Sequence, residues 1–159
     1  MEDVLSFEDF FEAHRRRLFG AMCLVTGNRS EAEEITQDAF LRVWERWERV
    51  ATLDDPEAYL FRVATNVFRN RLRRAGLAAR KVLSLAPSGD ELSAVEDRDE
   101  VVRALRPLPP RQRAAVVLTT YLDYSSDEAA RMLGVRASTV RALATQGRAG
   151  VRQALEERR

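Results

Sequence analysis

Ser126-Asp127-Glu128-Ala129-Ala130-Arg131-Met132-Leu133-Gly134-Val135-Arg136-Ala137-Ser138-Thr139-Val140-Arg141 is the stretch whose reading decides the fold. Ser126 stands where a helix N-cap belongs, with acids in the turn that follows. Gly134 ends that helix, because a residue without a β-carbon takes the left-handed closing conformation at little cost. Val135 follows as an apolar residue, and Ser138 is expected to cap the next helix. A short helix, a glycine-containing turn and a capped second helix make a helix-turn-helix. Ala130 is small where the two helices must approach.

In the second helix Val140, Ala144, Gly147, Val151 and Leu155 fall on one face, with Leu143 at its edge. Arg141, Thr145, Arg148 and Arg152 fall on another, so the first set is expected to bury and the second to project. The projecting face suits a DNA groove. Base-edge contacts are expected from the turns holding Ser138, Thr139, Arg141 and Ala142, then Thr145 and Gln146, and phosphate contacts from Arg136 and Arg148. The free N–H groups of the helix start would lie near phosphates as well. A surface helix merely solvated by arginine is the other reading of the same residues.

Upstream, nearly every segment keeps a helical period and no stretch alternates like a strand. A first helix is expected over Phe7–Thr26, with Phe7, Phe10, Phe11, Leu18, Met22 and Val25 facing inward and Gly27-Asn28 ending it. Ser30 and Glu33 fit a capping box for a second helix reaching about Val50, with Ile35, Ala39, Val43, Trp47 and Val50 as its buried stripe. Asp55 is expected to cap a third helix that begins at Pro56 and runs to about Ala75. Small and polar residues from Gly76 to Arg98, around Ala86-Pro87-Ser88-Gly89-Asp90, read as a linker, although Leu77–Leu83 has some helical character. Helical pattern resumes at Asp99 and breaks at Pro107-Leu108-Pro109-Pro110; helices over Arg111–Leu122, Ser126–Leu133 and Ser138–Glu157 follow. The expected fold is all-α, two small helical domains joined by a flexible linker, with boundaries 1–75, 76–98 and 99–159 and the helix-turn-helix in the second.

On the third helix Arg62, Asn66, Arg69, Asn70 and Arg73 line one side, while Leu60, Val63, Ala64, Val67 and Leu72 line the other. Tyr59 and Phe61 stand at the start of the basic face, and Phe40 and Trp44 come from the helix before it. Arginines and amides beside aromatics can hold a strand by its phosphates and pocket an unpaired base. Helix-surface arginines and core aromatics would give the same pattern.

The 159 residues allow one ordinary domain or two small ones, and a net charge of +1 excludes a general polycation. Residues 1–75 carry a net −2 and residues 76–159 a net +3, so nucleic-acid binding must come from local faces. Of the 26 basic residues all but Lys81 are arginine, which suits paired phosphate contacts but also follows from a GC-rich genome. Cys23 and His14 each stand alone, which leaves no ligands for a Cys- or His-based metal site and no histidine triad. The apolar run near Phe19–Val25 is too short for a membrane span, and Met1-Glu2-Asp3 has no basic lead of a secretion signal. The expectation is a cytoplasmic protein that is not an enzyme, with no cofactor, no metal and no membrane insertion.

Taken in order, these pieces resemble a bacterial RNA polymerase sigma factor of the sigma-70 family, extracytoplasmic-function group, over nearly the whole chain. Glu31-Ala32-Glu33-Glu34-Ile35-Thr36-Gln37-Asp38-Ala39-Phe40-Leu41-Arg42-Val43-Trp44 is similar to the family's polymerase-binding helix. That similarity implies core RNA polymerase contacts from Glu34, Gln37, Asp38, Leu41, Arg42 and Trp44. Pro56–Asn66 followed by Arg69–Arg74 resembles the minus-ten segment, and implies capture of the melted non-template strand by Tyr59, Arg62, Asn66, Arg69, Asn70 and Arg73. The turn at Val50–Pro56 would take part. Leu105-Arg106-Pro107-Leu108-Pro109-Pro110-Arg111-Gln112-Arg113 resembles the Leu-Pro-x-x-x-Arg opening of the domain that reads the minus-thirty-five duplex. The group also implies an anti-sigma factor as partner.

Two departures bear on strength. Leu143 and Gln146 stand where relatives usually carry basic residues, and Gly147 and Gly150 each cost a helix roughly 1 kcal/mol against alanine. Fewer phosphate contacts imply weaker duplex binding with a shallower salt dependence. A helix-turn-helix regulator that does not join the polymerase is the alternative at this point.

Overall fold

The computed structural model describes residues 4–79 and 96–159, with the backbone alone for 77–79 and 96–99. Among the described residues all regular structure is helical: α1 (Phe7–Thr26), α2 (Arg29–Glu45), α3 (Trp47–Val50), α4 (Pro56–Ala79), α5 (Glu96–Leu105), α6 (Pro110–Val116), α7 (Ser126–Leu133) and α8 (Ala137–Glu156). A π-helical turn, Val117–Tyr121, continues α6.

Helix α1 begins where Ser6 Oγ accepts the Asp9 N–H and ends at Gly27, whose φ of 68° is the left-handed closing conformation. The cap of α2 is Asn28 and not Ser30: its Oδ1 accepts the Glu31 N–H at 2.9 Å, so the helix starts two residues earlier. The expected single helix to Val50 is also interrupted. Arg46, with φ −120°, separates α2 from the short α3. Asp55 does cap α4, accepting the Ala58 N–H at 3.0 Å, with Pro56 at the first helical position.

Helix α4 continues through Gly76 to Ala79, and α5 opens at Glu96, so helix covers both ends of the stretch expected as linker. Residues 80–95, including Arg80–Leu83 of the Leu77–Leu83 stretch read as partly helical, lie outside the described residues.

Helices α1, α2 and α4 pack around Phe10, Leu18, Ile35, Val43, Leu60 and Phe61, all fully buried. Phe7, Phe11, Phe40 and Trp47 add ring contacts, such as Phe11 to Phe40 at 4.9 Å and Phe10 to Trp47 at 5.0 Å. Leu72 departs from the expected inner face of α4 and is exposed.

The C-terminal helices enclose Leu105, Val117, Met132 and Val140, with α6 lying against α8. Gly147 and Gly150 make that contact possible. A β-carbon on Gly147 would strike Val116 and crowd the Gln112 carbonyl, and one on Gly150 would strike Leu108. These glycines are therefore packing positions of α8 and not interruptions of it. The two groups of helices also meet each other, chiefly where α4 packs on α7, and their buried residues form one continuous cluster.

Candidate functional site

Three surfaces carry the residues singled out in the sequence. The first is the outer side of α2. Its inner stripe, Ile35, Ala39 and Val43, is fully buried against α1 and α4. The helical period therefore turns Glu34, Gln37, Leu41 and Arg42 outward, with Asp38 half-exposed. Leu41 is 53% exposed and Trp44 58%, large apolar side chains set among charges. Trp44 thus stands exposed near the end of α2, and Phe40 is buried in the core. Arg71 of α4 reaches across to Glu34 at 2.8 Å and to Asp38 at 3.9 Å, which holds the acidic side chains in place.

The second surface is the basic side of α4. Arg62, Asn66, Arg69, Asn70 and Arg73 are all exposed, and Tyr59 is half-buried at its start. Phe61 does not join them. It is buried, with its ring 5.9 Å from that of Tyr124 in an edge arrangement. Two of the arginines meet the helix-turn-helix: Arg69 Nη2 donates to the Leu133 carbonyl at 3.4 Å, and the Arg62 guanidinium lies against Gly134.

The third surface is the start of α8. Arg136, Ser138, Arg141, Ala142, Thr145, Gln146 and Arg148 are exposed and Thr139 is half-buried. The inward face is as expected, with Val140, Ala144 and Gly147 buried. The caps are not. Ser125 Oγ, and not Ser126, accepts the Glu128 N–H at 3.1 Å to start α7. Helix α8 begins after Arg136 without any side-chain cap, which puts Ser138 inside its first turn. Uncapped N–H groups at an exposed helix start are donors still available to an anion. Gln146 is partly committed, since its Oε1 accepts from Gln112 Nε2 at 3.3 Å. Arg148 also lines a cleft of about 710 Å³ together with Leu105, Val116, Tyr121, Val151 and Leu155.

Several functional-looking residues were not legible beforehand. Arg113, third arginine of the Leu105–Arg113 segment, donates to the Val25 carbonyl at 2.5 Å and to the Leu108 carbonyl at 3.0 Å, fastening α6 to the end of α1. Burial, and then the neighbouring Arg106, lower its pKa from the ordinary arginine value. Tyr124 donates its O–H to Glu57, and the Arg17 guanidinium lies 4.7 Å over its ring. Burial, then the Glu57 carboxylate, hold the Tyr124 proton well above the ordinary phenol value. These contacts join residues far apart in the chain, and no local pattern announces them.

Among the described residues there is no group of three or more His, Cys, Asp or Glu side chains that could hold a metal ion. No helix among them is long and apolar enough to cross a membrane.

Comparison with known proteins identifies the family of both halves of the chain. Residues 10–77 match the family described as Sigma-70 region 2, and residues 98–149 match Sigma-70, region 4. The ECF RNA polymerase sigma factor SigM of Mycobacterium tuberculosis is 33% identical over 148 residues, covering 92% of this chain and 76% of that protein. The RNA polymerase sigma-E factor of Streptomyces coelicolor is 29% identical, covering 99% and 90%. In fold, the chain is similar to the sigma factor RpoE in its complex with the anti-sigma factor NepR from Bartonella quintana. That match has a TM-score of 0.78 at 20% identity and covers 96% of this chain and 98% of the other. CnrH, solved with the cytosolic domain of CnrY, gives a TM-score of 0.66 at 24% identity, covering 95% and 88%.

Proposed function

The chain belongs to the extracytoplasmic-function group of the sigma-70 family, and we propose that three of its surfaces divide the work of a sigma factor. As a member it binds core RNA polymerase and directs promoter-specific initiation of transcription. The alternative of a regulator that never joins the polymerase falls with that membership. In our reading the outer side of α2, through Glu34, Gln37, Asp38, Leu41, Arg42 and Trp44, is the polymerase-binding face. The basic side of α4, with Tyr59, Arg62, Asn66, Arg69, Asn70 and Arg73, takes the melted minus-ten strand. The start of α8, with Arg136, Ser138, Thr139, Arg141, Ala142, Thr145, Gln146 and Arg148, docks on the minus-thirty-five duplex. These faces belong to an N-terminal domain over 1–75 and a C-terminal domain over 99–159, with 76–98 between them.

The observation that carries this reading is the pair of exposed apolar side chains, Leu41 and Trp44, in an acidic surround. Water-exposed tryptophan and leucine beside Glu34 and Asp38 suit a partner with a basic rim and an apolar centre. The arginine face of α4 has charge to hold phosphates and a half-buried Tyr59 ring to stack on a base. The uncapped start of α8 favours phosphate at its N–H groups. The chemistry of RNA synthesis stays with the polymerase, so the chain itself acts by binding and positioning, in the cytoplasm where polymerase works. An anti-sigma factor is a further partner, as the RpoE complex with NepR illustrates for that protein.

Capture of core polymerase on the immobilised protein tests the first face. Wild type retains polymerase, whereas Asp38→Arg combined with Gln37→Ala loses it by roughly two orders of magnitude, as for charge reversal at a central interface residue. Retention unchanged by that pair would overturn the assignment.

A further inference from the structure

We propose that Arg71 is a positioning residue for core polymerase, a clamp on Glu34 and Asp38 that orders the acidic side chains of α2 before the partner arrives. The proposal rests on the reading of the outer side of α2 as the polymerase-binding face.

The place of Arg71 in α4 is the first observation. Leu60, Ala64 and Val67 form the buried stripe of that helix, and the next position of the same period is Arg71. The pattern asks for an apolar side chain there, yet a guanidinium occupies it. Arg71 is half-buried, whereas Leu72, Arg73 and Arg74 after it are exposed. It stands about two and a half helical turns beyond Arg62, which turns it away from the strand face and toward α2. The Arg69–Arg74 segment therefore splits. Arg69, Asn70 and Arg73 lie on the side read as strand-binding, and Arg71 serves α2.

What Arg71 reaches is the second. Its Nη1 donates to Glu34 Oε2 at 2.8 Å and its Nη2 lies 3.9 Å from Asp38 Oδ2, so one planar fork spans both carboxylates. Glu34 and Asp38 are one helical turn apart on α2, a spacing at which like charges repel. The guanidinium between them offsets that repulsion and restricts the rotamers of Glu34, the longer side chain of the two. With side chains 31% exposed for Arg71, 62% for Glu34 and 49% for Asp38, such a pair adds little to folding stability. Its gain falls on binding instead, where side chains ordered in advance lose less freedom at the interface. Each carboxylate keeps a second oxygen for a basic partner. Arg71 also cancels one negative charge of the face. Its loss would therefore strengthen long-range attraction while loosening the bound state, and the two effects separate as association and dissociation rates.

Surface plasmon resonance of core RNA polymerase over the immobilised full chain tests the clamp. Arg71→Ala should raise the dissociation rate about tenfold, with an association rate equal to wild type or faster. Its melting temperature should stay within about 2 °C of wild type, as for a surface ion pair. Arg71→Lys, a point charge that can pair with one carboxylate but cannot span two, should fall between. In a chain carrying Glu34→Ala and Asp38→Ala, Arg71→Ala should change nothing further, because the residue acts through those two. An Arg71→Ala chain that dissociates like wild type, or binds more tightly, would overturn the proposal; tighter binding would make Arg71 a competitor of the partner's cations. An undiminished effect in the doubly substituted background would overturn it too, since Arg71 would then touch polymerase itself. The parent assignment is judged separately. If Glu34→Ala with Asp38→Ala binds like wild type, α2 is not the polymerase face. If that chain binds weakly while Arg71→Ala binds normally, only the clamp falls.

Discussion

Arg113 shows what one side chain can hold together. Its guanidinium takes the Val25 carbonyl at the end of α1 and the Leu108 carbonyl in the proline turn before α6. Arg113→Ala would leave both acceptors without this donor, at about 1–3 kcal/mol each for a buried group. We expect urea unfolding to show a loss of about 2 kcal/mol or more, and a loss within 0.5 kcal/mol, as for an ordinary surface substitution, would contradict this. Tyr124 makes a second test. A proton held above the phenol value of 10.0 stabilises the folded form fully below that pH, and the contribution is lost as pH climbs through the raised value. In an alkaline absorbance titration Tyr124→Phe should therefore remove the last tyrosine to ionise. If the variant instead removes a group titrating near 10, the Glu57 contact does not persist in solution. The resemblance quoted Arg113 within a motif, but its partner at Val25 lies 88 residues away, and only the folded chain brings the two together.

Elements reveal how far the residue pattern reaches. The apolar period placed all the long helices, because burial of one stripe is what a helix contributes to a core. Caps were less legible. Ser125 and Ser126 are neighbours with the same chemistry, and the choice between them depends on where the chain turns from Leu122 through Asp123, which has a positive φ of 57°. Asn28 likewise won over Ser30 because Gly27 ended α1 immediately before it. The glycines of α8 were read by propensity alone, and their use is in packing. Gly147→Ala ought to gain about 1 kcal/mol on propensity. The contact with Val116 and the Gln112 carbonyl reverses the sign, and we expect a loss of about 1–3 kcal/mol in chemical denaturation. A more stable variant would show that α6 and α8 are not in close contact. At the other end of the helix, Arg136→Asp supplies the missing cap. It should raise stability by about 1 kcal/mol and weaken duplex binding, lowering the salt slope by about 1. Equal duplex affinity at every salt concentration would remove Arg136 and the α8 start from the DNA contact.

For the whole molecule, the all-helical class and the three candidate faces could be read from the sequence, because each lies on one helix and obeys its period. The contact of α7 with α4 could not. It brings Leu133 of α7 to Phe61 and Phe68 of α4, apolar residues whose own helix period does not name a partner, and Arg69 donates across it to the Leu133 carbonyl. What the faces do together is the central claim: polymerase held by α2, a strand held by α4, and duplex held by α8. Run-off transcription with reconstituted core polymerase tests it most directly, on promoter fragments recovered from a genomic library, each used both as duplex and as a template already melted around minus ten. The account predicts discrete transcripts from both templates with wild type, and from the melted template alone with Arg69→Ala. Equal transcription of the two templates by that variant, or no promoter-dependent transcript with wild type, would contradict it.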